Sequence, residues 1–70
     1  MDRDVLKKFG ETIRKVRKER GLTQEQLADV AEIERSYMGT IERGERNPTL
    51  LKVYKIAKAL KVSAGELLPF

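Results

Sequence analysis

Apolar residues recur every three or four positions along the chain, and charged or polar residues fill the positions between them. The first such series consists of Val5, Leu6, Phe9, Ile13 and Val16. Because an α-helix has about 3.6 residues per turn, this spacing places the series on one helical face. No segment alternates between apolar and polar residues with a period of two, so strands are not expected. The pattern predicts an all-α protein.

Local start and stop signals divide this pattern into separate helices. The first predicted helix spans residues 4–20, with Asp4 as its N-cap and Gly21 directly after its end. Thr23 is followed three residues later by Gln26, which is a capping-box sequence and predicts the start of a second helix. A third helix is expected after a tight turn.

The remaining helices carry signals of the same kind. Gly44 ends the third helix, and Thr49 is the predicted N-cap of a fourth. Ser63 and Glu66 form a second capping box, which opens a short fifth helix. The apolar faces of the second to fifth helices are predicted to consist of Leu27, Val30, Ala31, Ile33, Tyr37, Met38, Ile41, Leu50, Val53, Tyr54, Ile56, Ala57, Leu60, Leu67 and Leu68.

The second and third helices are short and are separated by a break of about three residues. Helices joined so closely must cross at a steep angle, which is the helix-turn-helix geometry. The outward face of the third helix holds Arg35, Ser36, Gly39, Thr40 and Arg43. This polar and partly basic set suits the major groove of DNA, where arginine donates two hydrogen bonds to guanine. The missing side chain of Gly39 would let the backbone approach a base pair, although a tolerated surface glycine is the alternative.

The composition narrows the range of functions. The chain has 70 residues, which predicts a single domain over residues 1–70. It carries 15 Lys and Arg against 11 Asp and Glu, and the net charge of +4 favours a polyanionic partner. It contains no His and no Cys, so neither enzymatic activity nor a metal or other cofactor is expected. No apolar run approaches the roughly 20 residues that cross a bilayer, and no signal peptide is evident, so we expect a cytoplasmic protein.

Three separated motifs resemble one known family. They are the stretch from Gly21 to Ala28, the sequence Ile41-Glu42-Arg43-Gly44 and the sequence Asn47-Pro48-Thr49-Leu50. Together they are similar to the Cro/cI-type (XRE-like) helix-turn-helix repressors, over about residues 5–68. The resemblance implies a compact bundle of five helices of the lambda-repressor type. Within that family, the chain also resembles the small controller proteins of restriction–modification operons.

The resemblance implies roles for matching positions. Bases would be read by Arg35, Ser36 and Thr40, with Gly39 at the closest approach to DNA. The sugar-phosphate backbone would be contacted by Gln24, Tyr37, Arg43, Arg46 and Asn47. Arg17 and Glu42 would form a largely buried ion pair, although both side chains border the predicted core and either could instead be solvated.

Three positions depart from the family pattern. Glu32 stands in the turn between the second and third helices, and Lys61 follows the fourth helix, at positions where glycine is common. If Glu32 adopts a left-handed conformation, the cost is roughly 1 kcal/mol. Glu34 takes the cap position of the third helix, where its carboxylate either points away from DNA or accepts a bond from a cytosine amino group. The alternative for Arg35 is neutralisation of phosphates or pairing with Glu32 or Glu34.

The function favoured by these observations is sequence-specific regulation of transcription on double-stranded DNA. Proteins with such domains usually bind as dimers on paired half-sites, and a homodimer through Leu51, Leu67, Leu68 and Phe70 is expected. The tail residues Leu67, Leu68 and Phe70 could instead cover the core of their own subunit. A protein-interaction module or antitoxin on the same fold is the alternative function, and apolar or acidic groups on the third helix would favour it. No small-molecule ligand is expected.

Overall fold

The computed structural model describes residues 3–70. In this range the chain forms five helices, and it contains no strand. They are α1 (Arg3–Glu19), α2 (Gln24–Ala31), α3 (Arg35–Glu42), α4 (Leu50–Leu60) and α5 (Ala64–Leu67). The predicted all-α architecture is therefore confirmed. The single domain predicted from residue 1 includes Met1 and Asp2, which lie outside the described residues.

All five helices contribute to one hydrophobic core. α1 packs against α3, α2 lies between α3 and α4, and α5 contacts both α1 and α4. The largest fully buried side chains are those of Ile13, Leu27, Met38, Ile41, Ile56, Leu60 and Leu67. Because α1 packs against α3 and α4 packs against α2 on the core side, the outer surface of the α2–α3 pair remains exposed.

The predicted helix starts are confirmed with one exception. The Thr23 hydroxyl accepts a bond from the Gln26 amide at 3.1 Å, and the Gln26 side chain accepts one from the Thr23 amide at 2.8 Å. Thr49 likewise caps α4 by accepting from the Lys52 amide at 3.2 Å. Asp4 is not the N-cap that was predicted, because α1 begins at Arg3 and places Asp4 inside the first turn. A negative charge in the first turn still interacts favourably with the helix dipole.

Two turns contain left-handed residues that are not glycine. Glu32 ends α2 with φ 57°, and Lys61 ends α4 with φ 60°. The left-handed conformation costs roughly 1 kcal/mol for such residues. It allows the Ile33 amide to bond to the Ala28 carbonyl at 2.9 Å, which closes the turn tightly. The tight turn fixes the angle at which α3 leaves α2.

Two glycines make the crossing between α1 and the end of α3 possible. A Cβ on Gly10 would lie 2.5 Å from the carbonyl oxygens of both Ile41 and Glu42, so only glycine fits there. Gly44 has φ 74°, and a Cβ on it would lie 2.7 Å from the Cα of Lys7. The close crossing brings α1 directly against the C-terminal end of α3.

Some apolar positions assigned to the helix faces are exposed instead. Val30 is 60% exposed and Tyr54 is 55% exposed, whereas Ala28, which the prediction omitted, is buried. Val30 lies about 110° around α2 from the centre of the stripe that its buried residues form, since each residue turns the helix by 100°. Leu50, which is 84% exposed, begins α4 beyond the edge of the core. Tyr37 is only partly buried.

Candidate nucleic-acid interface

The N-terminal end of α3 is an exposed part of the α2–α3 surface. Arg35 and Ser36 form the first turn of α3, and both are exposed. Thr40, one turn later, is partly buried. The structure therefore brings Arg35, Ser36 and Thr40 onto one outer face, on which Arg35 and Ser36 are more exposed than Thr40.

Arg35 makes an ion pair with an acidic residue of α2. Its Nη1 atom donates to Oε2 of Glu25 at 3.2 Å, and the two side chains are 67% and 65% exposed. The partner is Glu25 in the first turn of α2, and not Glu32 or Glu34 as the alternative reading proposed. Because an exposed pair in high-dielectric surroundings is weakly held, the guanidinium is available to another partner.

The hydroxyl groups of the same face already have acceptors for their protons. The Ser36 hydroxyl donates to the carboxylate of Glu34, so this carboxylate turns toward α3 without capping it. The Thr40 hydroxyl donates to the carbonyl of Tyr37 at 2.6 Å. A hydroxyl that has given its proton can still accept two hydrogen bonds. In this arrangement Ser36 and Thr40 can face a base as acceptors.

Gly39 does not form the open approach to DNA that the sequence suggested. It is buried, because the side chains of Gln24 and Arg43 lie over it. A Cβ at Gly39 would lie 3.2 Å from Nη1 of Arg43 and 3.3 Å from Oε1 of Gln24. The absent side chain therefore makes room for these two polar head groups, and both would have to move before DNA reached the backbone.

A buried ion pair lies beneath this surface. Arg17 donates from Nε to Oε2 of Glu42 at 2.8 Å and from Nη2 to Oε1 at 3.1 Å. Its Nη1 donates to the Leu22 carbonyl at 3.0 Å, and Gln24 adds a bond to Oε1 of Glu42 at 3.2 Å. The side chains of Arg17 and Glu42 are only 10% and 3% exposed. Within residues 3–70, no buried side-chain nitrogen or oxygen lacks a partner.

The two arginines that were predicted to contact the DNA backbone have different neighbours. Arg43 donates from Nε to Oε2 of Glu45 at 3.0 Å, and this hydrogen bond together with the charge of Glu45 raises the pKa of Arg43. Arg46 lies over the Tyr37 ring at 5.6 Å from its centroid. Lys52 lies at 4.8 Å from the same centroid. Two cations therefore lie against the Tyr37 ring at the edge of α3.

Lys52 was not predicted to belong to the site, whereas Asn47 was predicted to belong to it and lines a different part of the surface. Lysine recurs along α4, so nothing in the pattern distinguishes Lys52 from Lys55 or Lys58. Only the fold places it against Tyr37. Asn47 is exposed in the loop after α3, where it borders an apolar hollow together with Phe70 and other residues.

The surface expected to form a dimer is only partly available. Leu67 is fully buried in the core of its own subunit, so its assignment to the interface was wrong. Leu68 is partly buried, while Leu51 and Phe70 are 61% and 86% exposed. Leu50, which had not been assigned, is exposed next to them. These side chains leave an apolar surface around the start of α4 and the C-terminal tail.

Neither a metal site nor a membrane span is found in the described part of the chain. No cluster of acidic residues, histidines or cysteines there could hold a metal ion. None of its helices combines the length and the apolar character required to cross a bilayer.

Comparison with known proteins finds a family and several close relatives. A family model described as helix-turn-helix matches residues 13–67. The uncharacterized HTH-type transcriptional regulator y4dJ of Sinorhizobium fredii is 41% identical over 64 residues, which cover 91% of this chain and 83% of the relative. The control protein C.SmaI of Serratia marcescens is 42% identical over 65 residues, which cover 93% of this chain and 77% of that protein.

A solved structure shows the same fold. The crystal structure of the restriction-modification controller protein C.AhdI from Aeromonas hydrophila superposes with a TM-score of 0.88 and is 44% identical. The match covers 90% of this chain and 96% of C.AhdI. The expected five-helix architecture, with α2 and α3 as the helix-turn-helix, is thereby confirmed.

Proposed function

The chain belongs to the helix-turn-helix family of DNA-binding transcriptional regulators, and we propose that it reads the major groove with α3. The observation that carries this proposal is the exposed first turn of α3, which presents Arg35 and Ser36 to the solvent. The N-terminal end of a recognition helix is the part that contacts base edges. By likeness to C.SmaI and C.AhdI, we further propose that the regulated genes are those of a restriction–modification operon.

Arg35 is proposed to recognise guanine. Its guanidinium matches the O6 and N7 acceptors of that base, and such a contact discriminates by about 1–3 kcal/mol. Ser36 and Thr40 already donate their protons within the protein, so they are proposed to accept bonds from the amino groups of adenine or cytosine.

The surrounding polar residues are proposed to hold the sugar-phosphate backbone. Gln24 and Arg43 converge above Gly39, and Arg46 is held at the Tyr37 ring. Lys52 shares that ring and extends the basic surface, whereas Asn47 would contact the backbone from the following loop. Such contacts fix the position of a protein on DNA without reading its sequence.

We propose that the protein binds as a homodimer on paired half-sites. A single α3 reaches only a few base pairs, and two copies would place their helices about 34–36 Å apart, one turn of DNA. Leu51 and Phe70 are exposed apolar side chains, and Leu68 and Phe70 line a hollow formed by α1, the loop before α4, α4 and the tail. A contact through these residues would leave both recognition helices free.

Selection of bound duplexes from a random pool tests the proposed function. We expect enrichment of a sequence with two related half-sites that contain guanine. A matched selection with the Arg35→Ala variant should lose the preference at one base pair per half-site. Failure of the natural sequence to enrich any duplex would contradict specific DNA binding and would favour a protein-interaction module on the same fold.

A further inference from the structure

The ion pair between Glu25 and Arg35 engages only one part of the arginine. The bond runs from Nη1 to Oε2 of Glu25 at 3.2 Å. A guanidinium has two edges that can donate a pair of parallel hydrogen bonds, one formed by Nε with Nη2 and one formed by both terminal nitrogens. Because Glu25 holds Nη1, the edge formed by Nε and Nη2 is the one left for a partner.

Arg17 also uses Nη1 for one acceptor and its other two nitrogen atoms for a second partner. Its Nη1 is held by the Leu22 carbonyl at 3.0 Å. Its Nε and Nη2 then meet both oxygens of Glu42, at 2.8 and 3.1 Å. One acceptor on Nη1 is thus compatible with a two-bond contact along the other edge. The O6 and N7 atoms of guanine offer a comparable pair of acceptors.

We propose that Glu25 is a specificity-determining residue that acts through Arg35. By holding Nη1 it orients the guanidinium so that the edge formed by Nε and Nη2 meets guanine. This inference rests on the proposed function, since it requires that α3 enters the major groove. Glu25 itself contacts no base; it is a positioning residue for the guanidinium of Arg35.

The Glu25 carboxylate also disfavours a competing contact, in which Arg35 binds a phosphate. In a complex with random DNA, a flexible arginine gains most by turning toward a phosphate. Glu25 competes for the guanidinium, and its negative charge repels a phosphate that comes close. The carboxylate therefore weakens binding to random DNA more than binding to the cognate site, where the oriented guanidinium is used.

The test compares Glu25→Gln with a matched variant, Asp29→Asn. Both changes remove one negative charge from the exposed surface of α2, but Glu25 is the residue paired with Arg35. Substitutions of exposed residues change stability little, so both variants should retain the fold, which a melting curve checks. The measurement is the affinity for the enriched duplex and for a random duplex of equal length, over a series of salt concentrations.

We expect Glu25→Gln to bind the random duplex more tightly, with a salt dependence steeper by about 0.9 for the phosphate that Arg35 gains. The ratio of cognate to random affinity should fall about five-fold or more, the lower limit of a two-bond contact with guanine. Asp29→Asn should strengthen both complexes equally and leave the ratio unchanged.

The Arg35→Ala background shows whether Glu25 acts through the arginine. There, Glu25→Gln should no longer change the affinity ratio. An unchanged ratio in the Glu25→Gln single variant would overturn this inference and leave the proposed function intact. An equal change with and without Arg35 would also overturn it. If the natural protein prefers no duplex, the proposed function fails first, and the inference fails with it.

Discussion

The Arg17–Glu42 pair and the Arg35–Glu25 pair combine the same two kinds of side chain in opposite surroundings. The first is almost completely buried between α1 and α3, with two bonds between its partners. The second joins α2 and α3 at the surface through a single bond at 3.2 Å, with both side chains about two-thirds exposed. The buried pair is therefore part of the packed interior, whereas the exposed pair can exchange its partner for another one.

The difference follows from the cost of leaving a charge without a partner. A buried charge that loses its partner cannot be solvated, so the remaining partner destabilises the fold. An exposed charge is solvated at once, and a pair of this kind contributes about 0–1 kcal/mol. Chemically similar pairs can thus serve two purposes: the buried pair fixes the angle between helices, and the exposed pair is proposed to orient a residue that contacts DNA.

The largest expected effect is that of Glu42→Ala on stability. The change leaves Arg17 buried and unpaired, which costs about 3–5 kcal/mol. A domain of this size has roughly 0.05–0.15 kcal/mol of stability per residue, so the loss removes much or all of it. The melting temperature without DNA should fall by more than about 12 °C, because each kcal/mol corresponds to roughly 4–8 °C.

The surface pair Arg43–Glu45 provides the control for this experiment. Glu45→Ala breaks an exposed ion pair at 3.0 Å and should change the melting temperature by only a few degrees. Equal shifts for Glu42→Ala and Glu45→Ala would remove the distinction between buried and exposed pairs.

Gly10→Ala tests the helix crossing that holds the buried pair together. The new Cβ would lie 2.5 Å from the carbonyl oxygens of Ile41 and Glu42, so α1 and α3 would have to separate. Such overpacking lowers the free energy of unfolding by about 1–3 kcal/mol, which urea unfolding measures. Gly65→Ala is the matched control, since its nearest neighbour would be the Ser63 hydroxyl oxygen at 3.9 Å. If both variants unfold at the same urea concentration, the crossing is not tight.

Arg46→Ala removes an exposed cation from the surface that is proposed to meet phosphates. Affinity for cognate and random duplexes should fall by the same factor, because a phosphate contact carries no sequence information. The dependence of binding on salt should also decrease by about 0.9 for the lost contact. A change in base preference with an unchanged salt dependence would instead assign Arg46 to base recognition.

The smallest expected effect concerns pH. The pKa of Glu66 is lowered from its usual value of 4.5, mainly because the Ser63 amide and hydroxyl donate to its carboxylate. A lowered pKa in the folded state means that the contribution to stability is present above pH 4.5 and is lost as the pH falls below it. The melting temperature of Glu66→Gln should therefore approach that of the natural sequence as the pH is lowered from 6 to about 3. A difference that widens in acid would contradict the assignment.

Sequence pattern predicted the features that depend on neighbouring residues. The box formed by Thr23 and Gln26 closes within a single turn, so its residues alone specify it. The role of Gly10 depends on two carbonyl groups more than 30 residues away, and no local pattern marks it. Val30 was misplaced because an eight-residue helix gives too few positions to locate the centre of its apolar face.

The candidate site shows the same limit. The residues on the outer face of α3 were predicted from composition and spacing, but their partners in the folded chain were not. Glu25 lies ten residues before Arg35, and its contact with it depends on the angle between α2 and α3. Gly39 faces the outer surface, yet the side chains of Gln24 and Arg43 cover it, which only the folded structure reveals.

The most direct test of base recognition by Arg35 measures the affinity of the Arg35→Ala variant for the selected duplex and for a random duplex. The melting temperature of the variant is measured as well. Arg35 is exposed and is proposed to recognise a base, so the melting temperature should stay within a few degrees of that of the natural sequence. Affinity for the selected duplex should fall by about 5- to 150-fold, equivalent to 1–3 kcal/mol, and affinity for the random duplex should fall far less. An equal loss on both duplexes would contradict the claim that the exposed arginine reads a base.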